Sequence, residues 1–198
     1  RTVMTDANTH VTIYVYDALS RLISTTNPLS YTIVYTYDVV GNRVARHKPD
    51  GTVLQYTFDP LDRLAAINAT DLAIAYSYDE IGNRTAMTDS TGVTTYDYDA
   101  LYRLKQVTAP TGTLQYGYDL NGNRTQLIYP DGKVASSTYD LANRLTTVTD
   151  WEDRSTTYTY DDADRQIAVR YPNNTQAAYS YDDAGGLLGL RHTSLVSG

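Results

Sequence analysis

The sequence predicts an all-β fold in which tandem β-hairpins form a curled or spiralling antiparallel sheet. Three observations support this prediction. A short phrase, Tyr-x-Tyr-Asp, recurs nine times with small variations along the 198 residues. Each repeat contains two short segments rich in β-branched and aromatic residues, and turn sequences separate them. No stretch of the chain has the hydrophobic periodicity of a helix.

The phrase recurs at a nearly constant spacing of 20 or 21 residues. Its aspartates are Asp17, Asp38, Asp59, Asp79, Asp99, Asp119, Asp140, Asp161 and Asp182. A fixed period of this size is typical of repeat proteins, in which each unit packs only on its neighbours. We therefore expect residues 1–198 to form a single array of about nine repeats. We also expect a fragment of a longer chain, because the array starts and stops within the repeat rhythm.

Residues 43–63 illustrate one repeat. Residues 43–47 have the character of an extended segment, and Pro49-Asp50-Gly51 is a tight-turn sequence. Residues 52–58 alternate as a strand does, and residues 59–62 turn the chain again. Two strands per repeat predict about 17 strands, paired in chain order. A meander of this length must curl, close or split, because sheets twist.

The arginine after the phrase takes one of two positions. It lies four residues after the aspartate at Arg21, Arg63, Arg103, Arg144 and Arg165. It lies five residues after it, within Gly-Asn-Arg, at Arg43, Arg84 and Arg124. This alternation predicts turns of two lengths, the longer of which accommodates an extra residue through glycine. It also predicts a structural unit of two repeats, about 41 residues long.

The phrase residues themselves are expected to hold the sheet together. Its two tyrosines are two residues apart and therefore point to the same face of a strand. Sixteen of the 20 tyrosines occupy these positions, which predicts an aromatic stripe across the sheet. We expect the aspartate to accept turn N–H groups and to face the arginine, which fixes the strand register. A feature present nine times is interpreted as structural.

Composition argues against several classes of function. The net charge of −7 disfavours nucleic acid and anionic membranes as partners, and no apolar run is long enough to span a membrane. The absence of cysteine excludes disulfides and cysteine-ligated metals. The histidines His10, His47 and His192 share no motif, and the acidic residues of 150–153 do not match a calcium-binding loop. The glycines of 185–189 do not lie between a strand and a helix, as those of a phosphate-binding loop do. The sequence thus predicts no catalytic, metal or cofactor site and no enzymatic activity.

These residues resemble the Rhs/YD-repeat family. The likeness lies in Tyr-x-Tyr-Asp followed by Arg-Leu, as in residues 96–104, and in the Gly-Asn-Arg form, as in residues 116–124. It spans essentially the whole chain. Phe58 replaces a phrase tyrosine and should preserve its packing, whereas Gly186 stands where arginine is expected, which puts the ninth turn in question. The family's Asp-Pro-x-Gly-Leu core motif, its self-cleaving aspartate chemistry and any toxin domain are not seen.

The resemblance implies a structural scaffold in a secreted or cell-surface bacterial protein. In bacterial polymorphic toxins and in the C subunit of insecticidal toxin complexes, YD repeats build a hollow β-shell around a C-terminal toxin polypeptide. In the animal teneurins the shell is extracellular and serves adhesion. The expected partners of this chain are therefore the remainder of the same long chain and the enclosed toxin polypeptide.

Two other functions stay open. Exposed tyrosines suit the rings of sugars, so the chain would serve as an extracellular carbohydrate- or cell-surface-binding module whose repeated sites add avidity. Alternatively, the two unpaired edges of an open meander invite β-addition and self-assembly into an extracellular fibre. A lumen lined by tyrosines favours the shell, rings exposed on a groove favour the binding module, and edge-to-edge contacts favour the fibre.

Overall fold

The computed structural model describes residues 2–195, and all regular secondary structure in that part of the chain is β-strand. The predicted all-β class is therefore confirmed. The described residues form nineteen strands, against the expected value of about 17. The additional strands are β1 (Thr2–Thr5), before the first phrase, and β19 (Leu187–Ser194), after the last. None of the described residues belongs to a helix long and apolar enough to cross a membrane.

The chain divides after Thr95 into two compact units. The first unit contains β1, β2 (Val11–Tyr16), β3 (Leu22–Thr26), β4 (Thr32–Tyr37), β5 (Arg43–His47), β6 (Val53–Phe58), β7 (Leu64–Ala69), β8 (Leu72–Tyr78), β9 (Arg84–Asp89) and the start of β10 (Gly92–Tyr98). Each strand of this unit pairs antiparallel with the strand that follows it. The predicted order of a meander is thus observed.

The second unit has the same organisation. After the end of β10 it contains β11 (Leu104–Ala109), β12 (Gly112–Tyr118), β13 (Arg124–Ile128), β14 (Val134–Tyr139), β15 (Leu145–Thr149), β16 (Ser155–Tyr160), β17 (Gln166–Arg170), β18 (Thr175–Tyr181) and β19. From β11 onward, each strand again pairs antiparallel with the next. In both units the even-numbered strands carry the phrase, and the odd-numbered strands from β3 onward follow it.

The turn that follows each phrase aspartate, called here the phrase turn, has one length throughout. The N–H of Asp17 donates to the carbonyl of Arg21, and the N–H of Asp38 donates to that of Asn42, both at 2.9 Å. Ser20 and Gly41, three residues after these aspartates, have positive φ values of 60° and 105°. Every phrase turn is thus a three-residue hairpin loop that ends in a left-handed residue.

The prediction of two turn lengths is therefore wrong, because the Gly-Asn-Arg turn contains no extra residue. In that form the arginine moves from the fourth to the fifth position, and asparagine takes the fourth. The β-bulge follows both kinds of turn: the register shifts just before Tyr16, which precedes an arginine turn, and just before Tyr37, which precedes a Gly-Asn-Arg turn. The bulged residue belongs to the strand after the turn.

The difference between 20 and 21 residues arises at the opposite end of the hairpins, in what are called here the distal turns. Two residues separate Ala69 from its partner Leu72, and the same holds after Asp89 and Ala109. The other distal turns have three residues, as where the N–H of Lys48 donates to the carbonyl of Thr52 at 2.8 Å. The strand register is the same with either distal turn. The residue eight positions after one phrase aspartate always pairs with the residue five positions before the next phrase aspartate. Examples are the pairs of Arg46 with Leu54 and of Ile67 with Ile74.

One face of each sheet carries the phrase tyrosines and is called here the tyrosine face. Along β8 and β10, half-buried residues alternate with exposed ones, and the tyrosines are among the half-buried residues. The aromatic stripe predicted from the sequence is therefore present. Only Val169 and Ala177, which face each other across β17 and β18, are fully buried among the described hydrophobic residues. Side-chain burial alone therefore leaves each sheet with a thin core, and other interactions must supplement it.

Candidate functional site

The phrase turn is the recurring feature of the chain, and its aspartate closes it. Asp99 Oδ1 accepts the backbone N–H groups of Leu101 and Arg103 at 2.9 and 3.0 Å, and Oδ2 accepts the Nε–H of Arg103 at 2.7 Å. The same three bonds occur at the turns of Asp17, Asp59, Asp140 and Asp161. The predicted roles of the aspartate, as acceptor of turn N–H groups and as partner of the guanidinium, are confirmed at these five turns.

The arginine of such a turn also reaches the next repeat. Arg103 Nη1 donates to the carbonyl of Asp119 at 3.0 Å, and its guanidinium carbon lies 4.6 Å from the centroid of the Tyr118 ring. Tyr118 in turn donates its hydroxyl to the carbonyl of Leu104 at 2.8 Å. Neighbouring repeats are thus joined in both directions, by an arginine that points forward and a tyrosine that points back.

We call this arrangement the arginine clasp. It recurs with nearly the same geometry at Arg21, Arg63, Arg144 and Arg165, whose guanidinium carbons lie 4.8–4.9 Å from the centroids of Tyr37, Tyr78, Tyr160 and Tyr181. Arginine is suited to this role because its planar cation can stack on a ring while its edge donates hydrogen bonds. The clasp links repeats and was not foreseen from the sequence, which indicated only the bond within a turn.

The Gly-Asn-Arg form makes a different link. Asn123 Nδ2 donates to Asp119 Oδ2 and to Asn143 Oδ1 of the next phrase turn, each at 2.9 Å. Arg124 then lies at the start of β13, with its guanidinium carbon 6.0 Å from the centroid of Tyr116. Asn42 likewise donates to Asp62 Oδ1 of the following turn at 2.9 Å. At these two turns the form therefore links the tips of neighbouring turns through amide groups, whereas Asn83 Nδ2 donates to Asp79 Oδ2 of its own turn at 3.0 Å.

The ninth phrase turn forms without arginine. The N–H of Asp182 donates to the carbonyl of Gly186 at 2.9 Å, and the N–H of Gly186 donates to Asp182 Oδ1 at 2.7 Å. The question that the sequence raised about this turn is thereby answered, because its backbone matches that of the other eight. The carboxylate and the backbone suffice for the turn, so the arginine serves the link between repeats.

Hydrogen bonding shifts the pKa of the phrase carboxylates. The pKa of Asp99 is lowered chiefly because its carboxylate accepts the backbone N–H of Arg103, while desolvation acts in the opposite direction and the Arg103 side chain adds to the lowering. For Asp119 the largest contribution to the lowered pKa comes from the side-chain amide of Asn123. Burial raises the pKa of Tyr118, which keeps the proton that its hydroxyl donates. The carboxyl pKa is also lowered at Asp17, Asp38, Asp59, Asp79, Asp140 and Asp161.

The remaining chemically active side chains do not assemble. His10 contacts Asp6 with 3.0 Å between Nδ1 and Oδ2, whereas His47 and His192 lie on β5 and β19. Asp150 closes a distal turn by accepting the Nε–H of Arg154 at 2.8 Å. Residues 2–195 contain no group of three or more histidine, cysteine or acidic residues that could hold a metal ion. The expectations of no catalytic site and no cofactor stay predictions.

Replacing Phe58 with tyrosine should stabilise the protein. Tyr139 follows a Gly-Asn-Arg turn in the same way and donates its hydroxyl to the carbonyl of Arg124 at 3.0 Å. A tyrosine at position 58 should reach the carbonyl of Arg43 and raise the free energy of unfolding by about 0.5–1.5 kcal/mol. Urea denaturation would measure the change. The reverse substitution Tyr78→Phe removes the bond to Leu64 and should lower stability by a similar amount; a destabilising Phe58→Tyr would contradict this account.

The lowered carboxyl pKa values predict a loss of stability in acid. The unfolded chain binds more protons once the pH falls below about 3.9, so the contribution of these groups is complete above that pH and is lost as the pH falls through the folded-state values. We expect the thermal midpoint to stay nearly constant between about pH 7 and pH 5 and to fall steeply below about pH 4. Circular dichroism would follow the transition. Combining Asp59→Asn, Asp99→Asn and Asp140→Asn should lower the midpoint at neutral pH and flatten the acid limb. A decline that starts above pH 5 would contradict this account.

Comparison with known proteins gives one family and a set of solved structures. The RHS Repeat family model matches residues 16–53, 37–71, 58–94, 78–114, 103–134, 118–155 and 139–176. The crystal structure of TcdB2-TccC3-TEV matches with a TM-score of 0.66 and 14% identity over 97% of this chain and 13% of that chain. The Tc holotoxin pore of Photorhabdus luminescens, with the mutation TccC3-D651A, matches with a TM-score of 0.64 and 16% identity over 96% of this chain and 13% of that one.

These likenesses differ in what they establish. At 14–16% identity the solved structures show a shared fold, and this chain spans only 13% of their length. The search of curated proteins gave no match. The seven family matches together extend from residue 16 to residue 176, more than half of the chain, and follow the period of the phrase. The chain therefore belongs to the RHS repeat family, as the resemblance in its phrase residues implied.

Proposed function

We propose that these residues form part of the wall of a hollow β-shell that encloses a toxin polypeptide in a secreted or cell-surface bacterial protein. The chain is a structural scaffold in this proposal, and it carries no enzymatic activity of its own. The observation that supports it best is the arginine clasp. Each clasp joins one repeat to the next, as Arg103 and Tyr118 do, so a wall can be lengthened by adding repeats.

The thin core supports the same function. A globular enzyme or binding domain buries many large apolar side chains, whereas the described residues fully bury only Val169 and Ala177. The tyrosine face is half-buried, and each tyrosine has an apolar ring with a polar hydroxyl. Such a face is better suited to contact with an unfolded polypeptide than a fully apolar face would be. The fold shared with the Tc toxin structures is consistent with this proposal.

The shell proposal is tested on the complete polypeptide to which these residues belong. Electron microscopy should show a hollow particle, and a protease should leave the C-terminal polypeptide intact. Combining Arg63→Ala, Arg103→Ala and Arg144→Ala removes three clasps and should make that polypeptide digestible. Three alanine substitutions at exposed arginines outside the clasps should leave it protected from the protease. A solid particle, a fibre, or equal digestion of the enclosed and free polypeptides would contradict the shell; a fibre would support self-assembly.

One observation favours carbohydrate binding as a second function. Trp151, at a distal turn of the second unit, is 43% exposed and meets Tyr129 edge to face with 5.3 Å between ring centroids. It borders a cavity of about 500 Å³ that is lined by Asp153 and by Asp131, and Asp131 pairs with Lys133 at 2.8 Å. An exposed ring beside charged side chains suits the apolar faces and hydroxyls of sugars. Titration with a panel of oligosaccharides should then show binding that Trp151→Ala abolishes and Tyr102→Ala, at an exposed phrase turn, leaves unchanged. No binding to any sugar would rule this function out.

A further inference from the structure

One position of the repeat faces the tyrosines and is apolar in most repeats. It is the eighth residue after each phrase aspartate, and it pairs across the strands with the first tyrosine of the phrase, as Ile67 does with Tyr56 and Met87 does with Tyr76. The same position holds Leu127, Val148, Val169 and Leu190 in later repeats. Apolar side chains here add to the thin core of the sheet.

Arg46 occupies this position in the second repeat. It pairs with Tyr35 on one side and with Leu54 on the other, so it stands on the tyrosine face among apolar and aromatic neighbours. Its Nε atom is shielded from solvent and has no hydrogen-bond partner among the described residues. In the arginine clasps, by contrast, Nε donates to an aspartate at 2.7 Å, as it does in Arg63.

An unpaired, shielded donor on a cation is unfavourable in an isolated protein. Burying a polar group without a partner costs free energy, and most such groups in folded proteins are paired. Isoleucine or methionine at the same position of the next two repeats shows that the fold has no need of a cation there. Because Nε itself is shielded, a ligand would meet the Nη groups of Arg46, which are not among the shielded atoms. The cation at this position is therefore best explained by an anionic ligand that pairs with those groups.

A cavity of about 530 Å³ adjoins Arg46 on this face of the first unit. Tyr31, Ile33 and Pro49 provide an apolar wall, and Lys48 brings a second cation. This volume is within the usual range for a small-ligand site. The cavity thus combines two positive charges with an apolar surface.

The one carboxylate at this cavity is already engaged. Asp50 Oδ1 accepts the backbone N–H of Thr52 at 2.9 Å, and this bond makes the largest contribution to the lowered pKa of Asp50. The charge of Lys48 also contributes to the lowered pKa of Asp50. Two cations against this one carboxylate leave the lining of the cavity with a net positive charge for an incoming group.

We propose that this cavity binds a carboxylate carried by an apolar group, in the form of an acidic residue next to an aliphatic one in a polypeptide segment. A guanidinium matches a carboxylate with two parallel hydrogen bonds, and the ammonium of Lys48 adds a point charge. The apolar wall accommodates the neighbouring side chain. If the scaffold function proposed above holds, the segment belongs to the enclosed polypeptide, and the site anchors it to the wall.

The ligand class is tested by titrating the chain with blocked peptides at low salt. Acetyl-Leu-Glu-Leu-amide should bind, and acetyl-Leu-Gln-Leu-amide, which lacks the charge, should bind about tenfold more weakly or worse. The free acid 4-methylpentanoate presents the same two groups without a peptide backbone and should bind more weakly than the glutamate peptide. Equal affinity for the two peptides would overturn the proposal, and tighter binding of the free acid would overturn the assignment to a peptide.

The site is tested with Arg46→Ile, which introduces the residue found at the equivalent Ile67. Affinity for the glutamate peptide should fall about tenfold or more, while the unfolding midpoint should not fall. Arg170→Ile makes the same change at an exposed residue of β17 and should leave the affinity unaltered. If Arg46→Ile does not fold, Arg46→Met, which matches Met87, takes its place. Unchanged affinity in the folded variant would refute the site.

The peptide titration is independent of the shell. It needs neither an enclosed polypeptide nor the rest of a longer chain, so a failure of the titration leaves the scaffold proposal standing. Conversely, a solid particle in the microscope would refute the shell without affecting peptide binding at Arg46. The two proposals therefore fail separately.

Discussion

The stacking of an arginine on the tyrosine of the next repeat is the interaction on which the rest of the structure depends. The sheets of both units have little buried apolar surface, since Val169 and Ala177 are the only fully buried hydrophobic residues described. In such a sheet, the side chains that bridge one repeat to the next contribute an unusually large share of the stability. In the clasp of Arg103 and Tyr118, one cation satisfies a carboxylate, a carbonyl and a ring at once.

Much of this fold follows from the sequence, because its determinants are local. The Tyr-x-Tyr spacing places both rings on one face, and the phrase aspartate closes its own turn, so strands and turns can be predicted within one repeat. The clasp could not be predicted in this way, because it joins residues such as Arg21 and Tyr37 that belong to different repeats. Its geometry depends on strand register, which a β-bulge shifts by one residue just before Tyr37.

The error about turn length has an instructive cause. A shifted arginine suggests a longer loop, but it does not require one. The spacing from Asp59 to Asp79 and that from Asp79 to Asp99 are both 20 residues, and only the second interval begins with Gly-Asn-Arg. That equality was the available signal, and it indicates that arginine and asparagine exchange places without an insertion. The significance of Arg46 cannot be predicted from one repeat for a related reason, because it appears only when Arg46 is compared with Ile67 and Met87 at the same register position.

The distal turns have a consequence for how such a chain can evolve. A distal turn of two residues, as after Ala69, and one of three, as after Lys48, leave the same pairing on either side. Insertion or loss of a single codon is therefore absorbed at one border of the sheet and is not transmitted to the clasps at the other. Changes in length can therefore accumulate along the distal border, whereas the clasps restrict such changes along the other border.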